Sequence, residues 1–272
     1  MVEGKKIGVI GLGNMGAAVA IALRKQVPSQ SLYLSNRSQK KVDDFIDQYG
    51  GKSSTNEEII RTCDWIFLAV KPKQLHELVP SLKTSYDSSI KKQIFVSMMA
   101  GVDLKTLTKT SELEPAPWIR MMPNTPVAIG QGLIAYSLNE QAKKLQVGRE
   151  FEDLLSQGGG IYLIEETLMD AFSGLAGCGP AFVYQFIEAM SDAGVKNGIP
   201  RALAIELAAK TVAGAAQMVT ETDKHPAVLK DEVCSPGGST IEGVSILEKQ
   251  HFRGTVIEAI DGAVKKTKEL GK

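Results

Sequence analysis

Three glycines near position 10 have the spacing of a loop that binds a dinucleotide. Gly11, Gly13 and Gly16 form Gly-x-Gly-x-x-Gly between an apolar run of β-formers at 7–10 and an apolar segment at 17–23 of helical character. In such a turn the first glycine permits the tight bend, the second leaves no Cβ between backbone and ligand, and the third lets helix and strand lie close. The N–H groups of the first helical turn would face a pyrophosphate. The spacing predicts a dinucleotide site, and the alternative is a glycine-rich turn that packs without a ligand.

The residues about 20 positions after this loop distinguish between nicotinamide cofactors. Ser35, Asn36 and Arg37 end the second expected strand, and no Asp or Glu stands there to bind the ribose 2′-hydroxyl of NAD. Arg37 is instead positioned to pair with the 2′-phosphate of NADP. The sequence therefore predicts NADPH in preference to NADH, and the alternative for Arg37 is a solvated charge at the start of a helix.

A second stretch, from Ser235 to Thr240, has the residue types of a small anion site. Pro-Gly-Gly holds an open backbone, and Ser239 and Thr240 begin a helix. Free N–H groups and hydroxyls converge at the positive end of that helix, where a carboxylate binds favourably. Ordinary helix capping, with Ser239 as the N-cap residue, explains the same pattern equally well. From the residues alone both interpretations stay open.

The elements that position these stretches change in type along the chain. Short apolar runs alternate with helical segments up to about residue 164, which predicts a doubly wound parallel sheet. No convincing strand follows Glu165. Strands are expected at 7–10, 32–34, 64–70, 94–97, 119–122, 133–136 and 161–164; helices at 14–26, 40–49, from 56, 73–83, 139–157, 170–196, 200–222, 226–233, 239–248 and 251–270.

The helix expected at 200–222 is apolar on most of its faces. A surface helix of a two-layer domain keeps a polar face, so this composition predicts burial against a second subunit. The alternative is the central helix of a monomeric bundle.

Bulk composition excludes several classes of protein. The 272 residues carry 31 basic and 31 acidic side chains, which argues against a general nucleic-acid binder. Three cysteines are too few for a disulfide framework, and no Cys or His spacing indicates a metal, so we expect a reduced, cytoplasmic setting. No run is expected to be long and apolar enough to cross a membrane. The three histidines, His76, His225 and His251, are expected to be structural or solvated.

Several blocks together resemble the pyrroline-5-carboxylate reductases. The most specific is the C-terminal signature at 226–229 and 233–248. Five further blocks also resemble that family and occur in the family's order along the chain. They are the glycine loop, Ala69–Pro72, Ser97–Gly101, Met122–Pro126 and Gly174-x-x-Gly177-x-Gly179-Pro180. The resemblance implies reduction of 1-pyrroline-5-carboxylate to L-proline, the last step of proline biosynthesis, with NADPH or NADH.

It also implies an α/β architecture in two domains. An N-terminal Rossmann-type NADP-binding domain would span 1–164, and an all-α domain at 165–272 would dimerise and hold the substrate. In the family the helical domains interlock in a homodimer that is often assembled further.

The resemblance assigns site residues as well. Thr240 would hydrogen-bond the ring nitrogen of the substrate, and Glu166 and Asp223 are the nearest matches to the acidic residues of the family. The substrate would be held by Glu166, Asp223, Val233, Ser235, Gly238, Ser239 and Thr240; the cofactor by Gly11, Leu12, Gly13, Asn14, Met15, Gly16, Ser35, Asn36, Arg37, Asn56, Ala69, Val70, Lys71, Pro72, Met98, Met99 and Ala100.

Two other functions remain open. A β-hydroxyacid dehydrogenase or imine reductase begins with a similar glycine loop, but it needs a catalytic lysine shortly after its second glycine motif, where this sequence has Val183. A non-catalytic protein that senses NADP or acts as a scaffold would keep the first loop without needing the stretch from Ser235 to Thr240.

Overall fold

The computed structural model describes residues 4–86, 93–113 and 115–270. Its contacts divide the chain into two compact units, one of Met1–Cys178 with Gly262–Lys272 and one of Gly179–Asp261. Residues 165–178 are helical but belong to the first unit, because their side chains and carbonyls bind the sheet. The domain boundary predicted between residues 164 and 165 coincides with the change from strands to helices, whereas the two compact units divide after Cys178. As a domain boundary it stays a prediction.

The first unit is built on a sheet of eight strands in the order β3-β2-β1-β4-β5-β6-β7-β8. β1, β4 and β5 are buried along their whole length, as expected for parallel strands that are covered on both faces. The strands are β1 Ile7–Ile10, β2 Leu32–Ser35, β3 Lys52–Ser53, β4 Trp65–Leu68, β5 Ile94–Ser97, β6 Trp118–Pro123, β7 Gly132–Leu138 and β8 Gly159–Leu163.

The last two strands, β7 and β8, run opposite to the other six. β7 pairs antiparallel with β6, with Met121 opposite Tyr136, while β8 runs parallel to β7. The wholly parallel sheet expected from the sequence is corrected at this point. Residues 124–131 connect β6 to β7, and a parallel neighbour would need a crossover of roughly a dozen residues or more. The sheet is otherwise parallel, so the predicted α/β class is confirmed.

Thirteen α-helices lie in the described part of the chain. The helix expected at 139–157 is two helices, because Gln146 takes a left-handed conformation with a φ of 53°. The helices are α1 Asn14–Arg24, α2 Gln39–Tyr49, α3 Asn56–Thr62, α4 Leu75–Ser85, α5 Leu104–Ser111, α6 Glu140–Lys144, α7 Gly148–Leu155, α8 Met169–Phe172, α9 Gly179–Lys196, α10 Arg201–Thr222, α11 Pro226–Glu232, α12 Ser239–Lys249 and α13 Phe252–Leu270.

Large aromatic side chains fill both sides of the sheet. Trp65, Tyr136 and Phe151 belong to one hydrophobic cluster, and Phe95 stacks on Trp118 in the other with ring centroids 5.0 Å apart. The Tyr136 hydroxyl donates to Glu152 at 2.6 Å, and burial together with this carboxylate raises the pKa of Tyr136. The sheet that carries the glycine loop is therefore well packed.

The second unit is all-helical and has little core of its own. Residues 165–270, all of which the structure describes, contain no strand, as predicted. Within Gly179–Asp261 the buried residues are Ser191, Ala204 and Ala208. Large apolar side chains are exposed along α9, α10, α11 and α12: Val183, Tyr184, Phe186, Leu203, Ile205, Leu207, Met218, Val228, Ile241, Ile246 and Leu247.

α10 also corrects one expectation. Among the described residues it is the one helix that is long and apolar enough to cross a membrane by length and composition, although no such segment was expected. A helix that packs in a protein core passes the same test. Within this single chain 11% of its most apolar window is buried, so most of that apolar surface lacks a cover.

Candidate active site

The glycine loop lies between β1 and α1, and two of its glycines cannot be replaced without strain. Gly11 has a φ of 102°, and a Cβ there would lie 2.5 Å from the carbonyl oxygen of Ala69. A Cβ on Gly16 would overlap the carbonyl oxygen of Gly11. No heavy atom lies within 4 Å of a Cβ built on Gly13. The loop is therefore closed against β4 beneath and open to a ligand at Gly13.

A cleft of about 620 Å³ opens at the carboxyl ends of β1, β2 and β4. This is the sheet edge at which parallel α/β folds bind dinucleotides. Of the residues predicted to hold the cofactor, nine line the cleft: Gly11, Gly13, Ser35, Asn36, Arg37, Asn56, Ala69, Val70 and Lys71. The other eight do not line it: Leu12, Asn14, Met15, Gly16, Pro72, Met98, Met99 and Ala100. Their contacts with a cofactor stay a prediction.

Amide side chains tie the walls of the cleft to the glycine loop. Asn36 accepts a hydrogen bond at Oδ1 from the backbone N–H of Leu12 at 3.0 Å. Ser35 donates from Oγ to Oδ1 of Asn56 at 2.7 Å. The side chain of Arg37 is exposed beside them, and no carboxylate in the described part of the chain forms an ion pair with it. The guanidinium is therefore available for an anionic ligand.

A third cation of the cleft, in addition to Arg37 and Lys71, was missed by sequence reasoning. Lys41 lies in the first turn of α2 and lines the same cleft as Arg37. Its neighbour Lys40 forms an ion pair with Asp44 instead, with Nζ 2.7 Å from Oδ2. Because Arg37 precedes α2, the i,i+4 rule of helices does not relate it to Lys41, and the sequence spacing gave no signal for this residue.

The cleft also contains acidic groups. Glu57 lines it and accepts a hydrogen bond from the Ser81 hydroxyl at 2.5 Å, which holds the pKa of Glu57 below its ordinary value. Glu57 is therefore ionised at neutral pH and belongs to the packing of α3 against α4. Other lining residues that the sequence did not indicate are Ile10, Gln39, Ser54, Thr55, Gln74, Glu77 and Leu78.

The methionines of the segment after β5 are buried. The side chains of Met98 and Met99 pack into the two hydrophobic clusters of the sheet and are 8% and 1% exposed. Ala100 packs against a small cluster that contains Met122 and Met169. Any contact of the two methionines with a cofactor would therefore run through their backbone rather than through exposed side chains.

Glu166, predicted to contact the substrate, binds a buried cation of the first unit. Its Oε1 accepts from the backbone N–H of Leu104 at 2.7 Å and lies 3.4 Å from Nη1 of Arg120. Asp170 contacts Nη2 of Arg120 at 3.0 Å, and the Arg120 side chain is 4% exposed. The sequence signal that was missed is a charged residue inside an apolar strand, since such residues are almost always paired. The assignment of Glu166 to the substrate stays a prediction.

The stretch from Ser235 to Thr240 forms a tight loop in the second unit. Its backbone turns through Gly237, whose φ is 67°, and the N–H of Gly238 donates to the carbonyl of Ser235 at 3.0 Å. α12 then begins at Ser239 with Gly238 as its N-cap residue and no capping side chain. The alternative in which Ser239 caps the helix is therefore wrong. The first N–H groups of α12 and the exposed hydroxyls of Ser239 and Thr240 are available to a small anion.

The remaining predicted substrate residues flank α11 in the same unit. Asp223 ends α10 in a left-handed conformation with a φ of 56°, and Val233 follows α11 with 63% of its surface exposed. Because α11 has seven residues, its two ends are about 10 Å apart. One short helix therefore connects the turn that carries Asp223 to the loop that carries Thr240.

Comparison with known proteins agrees with these observations. A family model for pyrroline-5-carboxylate reductase dimerisation matches residues 166–270, and one for NADP oxidoreductase, coenzyme F420-dependent, matches residues 6–101. The pyrroline-5-carboxylate reductase of Arabidopsis thaliana is 38% identical and covers 99% of this chain and 97% of its own. That of Escherichia coli K12 is also 38% identical, over 98% of this chain and 99% of its own.

Solved structures give the same result. The crystal structure of Plasmodium falciparum pyrroline carboxylate reductase with NADP bound is similar to this chain with a TM-score of 0.89, 33% identity and 99% coverage of both chains. The 1-pyrroline-5-carboxylate reductase of Streptococcus pyogenes has a TM-score of 0.85 and 34% identity over 97% of this chain and 98% of its own. The resemblance inferred from the sequence is confirmed, and the β-hydroxyacid dehydrogenase alternative is not favoured. The chain belongs to the pyrroline-5-carboxylate reductase family.

Proposed function

We propose that this chain reduces 1-pyrroline-5-carboxylate to L-proline with NADPH. The observation that carries the proposal is that relatives named for this activity match the chain over almost its whole length at 36–39% identity. The cleft at the glycine loop and the open start of α12 support it, since the reaction needs one nucleotide and one small carboxylate. The reaction completes proline biosynthesis, and we propose the cytoplasm as its location.

The residues of the cleft fit a dinucleotide with a 2′-phosphate. Gly13 leaves space above the first turn of α1, where uncapped N–H groups would hold the pyrophosphate. Arg37, unpaired and exposed, would bind the 2′-phosphate, so NADPH is preferred and NADH is the alternative cofactor. When bound, the cofactor supplies the hydride. Asn36 and Asn56 keep the walls of the cleft in place through their hydrogen bonds to Leu12 and Ser35.

The start of α12 would hold the substrate. The N–H groups of Ser239 and Thr240 and the positive end of the helix favour the carboxylate of the imino acid. With the carboxylate fixed, the C=N carbon has a defined face toward an incoming hydride. Val233, Ser235 and Gly238 shape the loop around it, and Asp223 and Glu166 are the proposed acidic contacts.

Thr240 has the role closest to the reacting atoms. Its hydroxyl would hydrogen-bond the ring nitrogen, which carries a proton in the reactive imine. Addition of a hydride to the carbon of the protonated C=N bond moves the π electrons to nitrogen and gives the secondary amine directly. The step therefore needs no further proton, and the chain needs no His or Lys acid for it.

The exposed apolar helices support a homodimer. The dimerisation model of the family covers residues 166–270, where α9 to α12 expose the apolar side chains described above. Burial of these side chains against a second copy would give this unit the core that a single chain lacks. We also propose that such dimers assemble further. The domain that dimerises and holds the substrate is proposed to span residues 165–272.

A direct assay tests the function. We expect the purified chain to oxidise NADPH in the presence of 1-pyrroline-5-carboxylate and to form proline. Thr240→Ala should lower kcat about 10- to 100-fold, the value of a lost hydrogen bond to a charged group, while the Kd for NADPH stays nearly unchanged. Thr240→Ser keeps the hydroxyl and is the matched control. Unchanged kinetics in Thr240→Ala would remove this residue from the mechanism, and absence of proline formation by the wild type would refute the function.

A further inference from the structure

α11 is a short helix between two turns that are both assigned to the substrate. It spans Pro226–Glu232, follows the turn that contains Asp223 and leads into the loop from Ser235 to Thr240. Two turns of helix are not stable by themselves in water, so the contacts at its ends determine whether it forms. A contact that stabilises the start of α11 therefore also helps to position the turn before it, at Asp223, and the loop after it, at Ser235–Thr240.

The start of α11 is fixed by His225. This residue has an extended conformation at the N-cap position, and its Nδ1 accepts the backbone N–H of Ala227 at 3.2 Å. Pro226 has no N–H, so Ala227 is the first donor of the helix that needs a partner. An acceptor at Nδ1 requires the neutral imidazole with its proton on Nε2. His225 therefore supplies the cap that Ser, Thr, Asp or Asn usually supplies.

Backbone hydrogen bonds connect the other end of α11 to the loop that follows it. The N–H of Val233 donates to Lys230 at 3.3 Å, and the N–H of Cys234 donates to Asp231 at 3.0 Å. Lys224 also spans the helix by an ion pair with Glu232 at 2.7 Å, but about half of each side chain is exposed, and such pairs contribute little. The imidazole of His225 is therefore the side chain that caps the start of the helix, whereas the ion pair reaches its last residue.

We propose that His225 is a positioning residue for the reduction of the imine. It does not touch the reacting atoms. By capping α11 it holds the turn at Asp223 and the loop at Ser235–Thr240 in the arrangement that binds the substrate carboxylate. This rests on the proposed function and gives a role to a histidine that the sequence indicated as structural or solvated.

The test compares three variants of the full chain. His225→Ala removes the acceptor and should raise the KM for 1-pyrroline-5-carboxylate about three- to tenfold, the range expected for a lost N-cap, with the KM for NADPH unchanged. His225→Asn keeps a capping acceptor and should return the KM to within about twofold of the wild type. His76→Ala, an exposed histidine on α4, is the control and should have wild-type kinetics.

Hydrogen–deuterium exchange at 226–240 gives a readout that does not depend on activity. Exchange should accelerate in His225→Ala and return to the wild-type rate in His225→Asn. An active wild type with an unchanged imine KM in His225→Ala would overturn the positioning role alone. The positioning role would also be overturned if His225→Asn had the same kinetics as His225→Ala. It would be overturned as well if His225→Ala raised the KM for the imine and the KM for NADPH equally. A wild type that does not reduce the imine would refute the proposed function, and the exchange data would then still decide whether His225 caps α11.

Discussion

The two units of this chain obtain their structure from different sources. The first buries whole strands and most of its aromatic side chains around an eight-stranded sheet. The second, from Gly179 to Asp261, buries Ser191, Ala204 and Ala208 and exposes apolar side chains along four helices. Hydrophobic burial is the main favourable term in folding, so the first unit has its own source of stability and the second does not.

This difference extends to the two binding regions. The glycine loop is fixed by the close approach of its backbone to β4, and the amide side chains around the cleft are bonded within the same unit. The loop at Ser235–Thr240 is exposed and is held by backbone bonds and by one short helix. We therefore expect the cleft at the glycine loop to tolerate loss of the proposed dimer better than the proposed substrate loop does.

The largest effect is expected from a charge on the exposed face of α10. Leu207 is 45% exposed in the single chain, and Leu207→Glu would place two charges in the interface of the proposed dimer, at about 3–5 kcal/mol each. We expect the dimer to dissociate and imine reduction to be lost. Light scattering after size-exclusion chromatography measures the mass of the assembly, and the NADPH oxidation assay measures imine reduction. Leu145→Glu, at a residue of the first unit with 38% exposure, is the control that should stay dimeric. A fully active Leu207→Glu dimer would contradict the comparison.

The next effect separates two glycines of one loop. Gly16→Ala forces a Cβ onto the carbonyl oxygen of Gly11 and should destabilise the first unit by about 3 kcal/mol, the upper end of the cost of overpacking. Gly13→Ala meets no protein atom, so the unit should keep its melting temperature but bind NADPH more weakly. Thermal unfolding and a fluorescence titration with NADPH distinguish them. Equal loss of stability in both variants would show that Gly13 is structural rather than close to a ligand.

A smaller effect compares an ion pair in each unit. Arg120→Met leaves Glu166 and Asp170 without their buried partner and should cost about 2–3 kcal/mol, less than a fully buried pair because both carboxylates are partly exposed. Arg201→Met removes the exposed pair with Asp192 and a hydrogen bond to the Ser191 hydroxyl, which keeps its own bond to the Glu188 carbonyl, and should cost about 1 kcal/mol. Urea unfolding followed by circular dichroism measures both. Tryptophan fluorescence assigns the loss to the first unit, because Trp65 and Trp118 are its two tryptophans. Similar costs for the two variants would contradict the difference in burial.

The smallest effect concerns cofactor choice. Arg37→Asp should raise the KM for NADPH about 10- to 100-fold through loss of a charge-assisted contact, and change the KM for NADH much less. Lys40→Ala is the control, because Lys40 pairs with Asp44 and does not line the cleft. Steady-state kinetics with both cofactors measure the ratio. An equal loss for NADPH and NADH would refute the assignment of Arg37 to the 2′-phosphate.

Most features that depend on neighbours in sequence were predictable. The apolar run at 7–10 and the glycines that follow it specify a strand, a turn and a helix within 20 residues, and the structure has β1 and α1 there. The change to helices after Glu165 and the apolar character of α10 were also visible. By contrast α5 was not predicted. Its sequence is rich in Thr, and part of its stability comes from Glu166, which accepts the N–H of Leu104 from 62 residues away.

The sequence by itself determined the glycine loop, most of the strands and helices with the exception of β3 and α5, the family and the missing acid after β2, because each depends on residue types at short spacing. Tertiary structure alone decided the reversal of β7 and β8, the burial of Arg120 between Glu166 and Asp170, and the entry of Lys41 into the cleft. These depend on which distant residues meet across a sheet or a helix start. Local propensity and periodicity carry no information about such meetings until the chain has folded.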